Sequence, residues 1–237
     1  MLSQYLIKQL HSNMTDYDEI IAETLRVAKS IPLKRSTGDG RIDSAVKEEP
    51  FLEDLKQQLL ETYPIWDIII SPPRAECDIM INGIRINLKL TDCKSADNSV
   101  NKPSIYFSIT GATDYPYSST WNDFGNKLQT AAENNSIKKM RDRTTEYHYL
   151  VKNKLTGDVL LKPIFDIHTY VSNPSNDLQI SWKKEFEHIT EVTKDEDYQE
   201  KMLSLVECIQ KSTRDKIDRT KEFAYTDFRT MFKPNSE

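Results

Sequence analysis

The stretch "CDIMINGIRINLKL" (Cys77–Leu90) decides how the rest of this chain is read. Two runs of alternating apolar and polar residues flank an Asn82-Gly83 pair. A type I′ turn needs positive φ at both central positions, which Asn-Gly supplies readily, so a two-residue hairpin is expected. The turn sets the register: Ile81 opposite Ile84, Met80 opposite Arg85, Ile79 opposite Ile86, Asp78 opposite Asn87, Cys77 opposite Leu88, and Glu76 opposite Lys89. Opposed residues project to one side of a sheet and successive residues alternate. One side is then Cys77, Ile79, Ile81, Ile84, Ile86, Leu88 and Leu90, a core face. The other gathers Glu76, Asp78, Met80, Arg85, Asn87 and Lys89.

Carboxylates, an amide and an ammonium on one face suit metal-assisted hydrolysis of a phosphodiester. That reaction needs a hard cation to neutralise developing charge and to make hydroxide from water. Mg²⁺ takes oxygen ligands and keeps several waters, so one or two carboxylates and a backbone carbonyl suffice. A lysine beside it can orient the attacking water or stabilise charge in the transition state. Asp78 is the expected central metal ligand, the Leu88 carbonyl a backbone ligand, and Lys89 the partner of the nucleophile. A half-exposed strand carries charges on its solvent side too, and a surface Glu76–Lys89 pair of that kind is worth under about 1 kcal/mol.

Around the hairpin the chain alternates helical and extended patterns. "TDYDEIIAETLRVAKS" (Thr15–Ser30) reads as a helix with Thr15 as N-cap and Ile20, Ile21, Leu25 and Ala28 on one face. "SIPLKRSTGDGRID" (Ser30–Asp43) reads as a loop, locally basic through Lys34, Arg35 and Arg41. "EEPFLEDLKQQLLETY" (Glu48–Tyr63) is a second helix, with Pro50 in its first turn and Phe51, Leu55 and Leu59 as the buried stripe. "IWDIII" (Ile65–Ile70) is expected as a strand, and "SIYFSITG" (Ser104–Gly111), rich in β-branched and aromatic residues, as another. "STWNDFGNKLQTAAENN" (Ser119–Asn135) is helical, with Trp121, Phe124 and Leu128 on one side. "YHYLVKN" and "GDVLLKPIFDI" flank a Leu-Thr-Gly turn and form a second hairpin. "LQISW" (Leu178–Trp182) is a short strand, and a long amphipathic helix from Asp195 to Lys221 turns Met202, Leu205, Val206 and Ile209 inward.

The chain has 237 residues, enough to bury a real core as one domain. It is 38% apolar and 29% charged, as ordinary soluble proteins are. The net charge of −5 argues weakly against a nucleic-acid partner, because a local basic channel can coexist with an acidic surface. No apolar run approaches the ~20 residues of a membrane-spanning helix, and "MLSQYLIKQLHSNMTD" lacks the features of a signal peptide. Three scattered cysteines without ligand spacing fit reduced thiols, so a cytoplasmic location is expected. The four histidines show no ligand-like spacing, and "STGDG" (Ser36–Gly40) has no Walker pattern.

An aspartate on one strand, followed on the next by a triplet that ends in lysine, resembles the PD-(D/E)XK nuclease superfamily, and within it the type II restriction endonucleases. Asp78 would be the first acid and Asn87-Leu88-Lys89 the triplet. "LTDCKSADNSVNKPSIYFSITG" (Leu90–Gly111) and "LQISWKKEF" look like further segments of such enzymes, and "EEPFLEDL" resembles the helix that often contributes a glutamate. The resemblance covers roughly half the chain. It implies an α/β fold with a central mixed sheet flanked by helices, a Mg²⁺ cofactor, double-stranded DNA as substrate, a homodimer, and a cognate DNA methyltransferase as genetic partner. Asn87 departs from the pattern, because the family has Asp or Glu there. Another carboxylate must complete the site, Glu49 first, then Glu48, then Glu76, or the enzyme is silent.

The expected layout is one domain over 1–237: a helical part to residue 64, catalytic strands over 65–111, and the remaining sheet and C-terminal helices over 112–237. Arg85 is a candidate for phosphate, and Lys94, Ser95, Asp97, Asn98 and Lys102 are candidates for DNA contact. The last group equally suits turn capping. "SIKKMRDRTTEYHY" (Ser136–Tyr149) sets basic residues beside tyrosines, as a nucleic-acid surface or a solvated face would.

Overall fold

The computed structural model describes residues 17–33, 40–73, 75–98, 101–116 and 119–225. The expected Thr15 cap and the basic Lys34 and Arg35 lie outside these residues. The elements in chain order are α1 (Tyr17–Ser30), α2 (Gly40–Thr62), β1 (Ile68–Ile70), β2 (Ile79–Ile81), β3 (Ile84–Thr91), β4 (Asp97–Asn98), α3 (Lys102–Thr110), α4 (Trp121–Glu133), β5 (Tyr147–Asn153), β6 (Val159–Pro163), β7 (Tyr170–Asn173), β8 (Asp177–Ile180), α5 (Trp182–Glu187) and α6 (Tyr198–Tyr225). The protein is α/β: a five-stranded mixed sheet ordered β1-β2-β3-β5-β6 with helices around it, and a three-stranded sheet ordered β4-β8-β7.

The hairpin forms in the expected register, with Ile81 opposite Ile84, Met80 opposite Arg85 and Ile79 opposite Ile86. Asn82 and Gly83 have φ of 46° and 84°, as the I′ turn requires. The turn is pinned to the start of β1 by Asn82 N–H to the Asp67 carbonyl (2.8 Å) and Asp67 N–H to Asn82 Oδ1 (2.7 Å). β3 runs parallel to β5, so the chain between them must cross over, and it does so through α3 and α4.

Each face of the large sheet buries its own apolar cluster. Ile79, Ile81, Ile84, Ile86, Leu88 and Leu90 pack with Ile20 and Val27 of α1 and Phe51, Leu55 and Leu59 of α2. On the other face Tyr147, Tyr149 and Val151 meet Ile105 of α3, Phe124 of α4, Trp182, and Met202, Leu205 and Ile209 of α6. Cys77 belongs to this second cluster and not to the hairpin's apolar face. Strand alternation stops at Ile79, because the Asp78 N–H also turns to Ile86, the residue opposite Ile79, and bonds its carbonyl (3.0 Å). Beyond that point the expected Cys77–Leu88 and Glu76–Lys89 oppositions do not form.

Three further expectations need correction. Ser104–Gly111 is helical: Asn101 caps α3 by accepting from Ser104 N–H, Pro103 sits in its first turn, and Gly111 closes it at φ 77°. Residues 103–109 are all buried, so β-rich composition marks burial here and not a strand. The loop expected to reach Asp43 is helical from Gly40, and Pro50 lies inside α2. An internal proline loses its own N–H bond and crowds the carbonyl four residues back, and the helix runs through Pro50 in spite of that cost, with Ala45–Glu49 otherwise tolerating a helix. Strand β7 carries no sequence signal, because its half-exposed Tyr-Val-Ser-Asn has no clear alternation.

Two basic residues of the segment before β5, Lys138 and Arg141, turn inward and are not part of a solvated face. Arg141 is buried and ion-paired with Glu146 (2.7 Å) and Asp166 (2.8 Å), and the Lys138 ammonium donates to Thr145 Oγ1 (2.9 Å). Lys139 stays exposed, and the half-exposed Arg143 pairs with the exposed Asp195 (3.5 Å).

His148 on β5 is fully buried. A carbonyl only accepts, so Nδ1 carries the proton toward Glu146 O (3.0 Å) and Nε2 accepts from the Tyr17 hydroxyl of α1 (2.8 Å). Burial holds the imidazole pKa down to about 3; the Glu146 carbonyl opposes this and Arg141 adds to it. The unfolded ring protonates near pH ~6.5, so this group's contribution to stability falls as pH drops below that value, by up to about 1.4 kcal/mol per pH unit. Proton NMR of the folded protein should show the His148 ring signals unmoved between about pH 7.5 and 4.5. A ring that titrates within that window would show that it is not held neutral.

Candidate active site

Asp78 is held immediately before β2 begins. Its carbonyl accepts from Ser71 N–H (2.9 Å), and its carboxylate folds onto β3. Oδ2 accepts from the Asn87 side-chain amide (2.7 Å) and from the Leu88 backbone N–H (2.7 Å). The expected opposition of Asp78 and Asn87 is therefore realised through side chains. A residue's N–H and C=O leave a strand on the same side, so the Leu88 carbonyl also points toward Asp78.

Asn87 and Lys89 alternate with the buried Ile86, Leu88 and Leu90 and lie half-buried on the opposite face of β3. Asp78 and Lys89 are within electrostatic reach of one another on that face. Burial pushes the Asp78 carboxyl upward in pKa, while the Leu88 N–H and the Lys89 charge pull it back. Asn87 Nδ2 must face Asp78, because the reverse assignment would set two acceptors against each other. That leaves Asn87 Oδ1 buried with no hydrogen-bond partner. Leaving a buried acceptor unmade costs about 1–3 kcal/mol, so an orphan of this kind calls for a ligand or a water.

Glu48, and not Glu49, is the α2 carboxylate turned to this place. Glu48 is half-buried, which raises its pKa, and it senses first Lys89 and then Asp78. Glu49 beside it is exposed. The signal was available: Glu48 precedes Leu52 by four residues and Leu55 by seven, in line with the buried stripe, whereas Glu49 is rotated by about 100°. Glu76 is taken up elsewhere. Its carboxylate is ion-paired with Arg85, whose guanidinium lies 4.1 Å over the Phe107 ring. The Glu76 carbonyl accepts from Asn101 Nδ2 (3.0 Å) and Ser104 Oγ (3.0 Å). Glu76 and Arg85 thus clamp the approach to Asp78 against α3, and in this arrangement neither is presented to a cation or a phosphate.

The residues expected to contact DNA separate. Lys94 is exposed and pairs with Asp92 (3.1 Å), and Ser95 beside it is exposed. Asn98 pairs its backbone with Gln179 in the small sheet. The Lys102 ammonium sits 4.7 Å over the Trp121 ring. Asp97 turns back toward β3, where the Thr91 hydroxyl and Lys89 act on it. Sequence reasoning missed this, since nothing in "SADNSV" indicates which way the chain reverses.

Among the described residues no three His, Cys, Asp or Glu side chains stand close enough to hold a metal by themselves. A hard cation with several retained waters does not need three. The Asp78 carboxylate, the orphaned Asn87 Oδ1, the Leu88 carbonyl and Glu48, which senses Asp78, are all oxygens of the kind that Mg²⁺ accepts. No protein-family model matches the chain, and no curated protein matches it.

Cation binding is testable without DNA. At ten times its Kd, Ca²⁺ should stabilise the protein by about 1.4 kcal/mol, a rise of several degrees in Tm, and Asp78→Asn should remove the effect. Asn87→Asp should lower Tm in chelator, where two carboxylates face each other, and bind the cation more tightly. Equal Ca²⁺ responses in all three proteins would remove Asp78 and Asn87 from any cation site.

Proposed function

We propose that the protein is a Mg²⁺-dependent, sequence-specific endonuclease of double-stranded DNA, of the type II restriction kind. One observation carries the reading: Asp78 and Lys89 share one face of the sheet, with the buried, unpartnered Asn87 oxygen between their positions. An acid and an amine held on adjacent strands can address one phosphate together.

Asp78, Asn87 Oδ1, the Leu88 carbonyl and Glu48 would hold the cation. When bound there, Mg²⁺ would neutralise charge on the phosphate and lower the pKa of a coordinated water. Lys89 orients the attacking water and stabilises negative charge that builds on the phosphate oxygens. Asn87, in place of an acid, contributes an oxygen without charge, and Glu48 supplies the missing negative charge from α2. The Glu76–Arg85–Phe107 clamp keeps the segment before Asp78 from moving away from β3. A homodimer would present two such sites to the two strands of a short palindrome, since two-fold protein symmetry matches that of the sequence. In the host, a DNA methyltransferase of the same specificity would protect resident sites.

The neutral Asn87 favours one second reading, a DNA-binding protein on the same scaffold that does not cut. A repair nuclease of the same fold differs in cutting branched DNA rather than a defined duplex sequence. Plasmid DNA incubated with protein and Mg²⁺ should yield discrete fragments with a common end sequence. Lys89→Ala and Asp78→Ala should each reduce cleavage by about a thousandfold with DNA binding retained. Cleavage by either variant at the wild-type rate would remove that residue from the chemistry, and binding without nicking would establish the silent reading.

A further inference from the structure

Where the chain leaves the sheet before β2, one carbonyl loses its ladder partner. The Asp78 N–H bonds the Ile86 carbonyl (3.0 Å), and the Asp78 carbonyl accepts from Ser71 N–H (2.9 Å). Two residues earlier the ladder is absent, and no backbone N–H of the described residues reaches the Glu76 carbonyl. Two side chains at the start of α3 take it instead, Asn101 through Nδ2 (3.0 Å) and Ser104 through Oγ (3.0 Å). A carbonyl has two lone pairs, so this pair of donors fills it.

Asn101 works in two directions. Its Oδ1 accepts from Ser104 N–H (3.2 Å) and caps α3, while its amide group donates to Glu76. α3 is itself fastened to the sheet. Ser108, fully buried, accepts from the Tyr147 N–H of β5 (2.9 Å) and donates to the Ser104 carbonyl (2.8 Å). β5 pairs with β3, Tyr147 beside Arg85 and Tyr149 beside Asn87. A ring of hydrogen bonds therefore runs from β3 through β5 and α3 to Glu76. Asp78, two residues on, closes it by accepting from Asn87 and Leu88 of β3 (2.7 Å each).

We propose that Asn101 and Ser104 are positioning residues for Asp78. By holding the Glu76 carbonyl they fix the main chain just before Asp78, so that its carboxylate stays on the Asn87 amide and the Leu88 N–H. The Glu76–Arg85 ion pair acts through a flexible side chain, whereas the α3 donors act on a planar, rigid peptide group. The consequence for catalysis rests on the nuclease reading above; the consequence for the Asp78 geometry does not.

Asn101→Ser keeps a good helix cap but is too short to reach Glu76, and Ser104→Ala removes the hydroxyl without touching the cap. Proton–nitrogen NMR of the protein alone reads the result at the Leu88 amide. In the double variant that proton should move upfield and exchange roughly tenfold faster, while the amides of the β5–β6 ladder keep their protection. Each single variant, with one donor left, should give a smaller change of the same sign. With plasmid DNA, kcat of the double variant should fall about 10- to 100-fold with KM unchanged, because a misplaced carboxylate costs the chemical step and not DNA binding. A Leu88 amide at its wild-type position in the folded double variant overturns the inference. If the double variant does not fold, an unmoved Leu88 amide in both single variants does the same. If wild-type protein cuts no DNA yet the Leu88 amide shifts in the variants, the positioning link stands and the nuclease reading fails.

Discussion

Two hydrogen bonds of 2.7 Å run from β3 to one oxygen of Asp78, one from the Asn87 amide and one from the Leu88 backbone. Hydrogen bonds to a charged group contribute about 1.5–3 kcal/mol each, and here they oppose the cost of burying the carboxylate. The other local features follow from them. Together with the Asp78 N–H bond to the Ile86 carbonyl they take the place of further ladder bonds, so β2 begins only at Ile79 and Cys77 joins the other cluster. They orient the Asn87 amide and strand its Oδ1. They aim the Leu88 carbonyl at the same spot.

Rigid neighbours preserve this arrangement. Beneath it, the isoleucines of the hairpin are locked under α1 and α2. Above it, the Glu76–Arg85 pair stacks on Phe107 and ties the approach to α3. The buried Lys152 ammonium of β5 donates to the Ala28 and Ile31 carbonyls (2.7 Å each), capping the end of α1 and fastening that helix to the sheet. A constellation on strands supported from both faces keeps its geometry better than one on loops. Lys89 is the exception, a flexible group on a rigid strand, and it is the group around which the acidic side chains converge.

The hairpin was legible because its information is local. An Asn-Gly turn and a period of two determine which side each of ten residues faces. The same logic misled at Ser104–Gly111, where composition suggested a strand but Asn101, Pro103 and Gly111 supplied the helix ends. There capping and burial in the second cluster outweighed β-propensity. Glu48 was legible in principle from helical phase, since it stands four residues before Leu52 and seven before Leu55.

The amino-acid sequence by itself determined the turn, the register through Ile79–Ile86 and the presence of Asp78, Asn87 and Lys89 on one polar face. These depend on contacts between residues fewer than about ten positions apart, so pattern alone decides them. Only the tertiary structure decided that Glu76 goes to Arg85, that Glu48 rather than Glu49 joins the site, and that Asp97 pairs into the small sheet opposite Ile180. Those outcomes hinge on how helices and the second sheet pack against the first. A charged side chain takes whichever partner that packing brings within reach, and sequence spacing does not encode it.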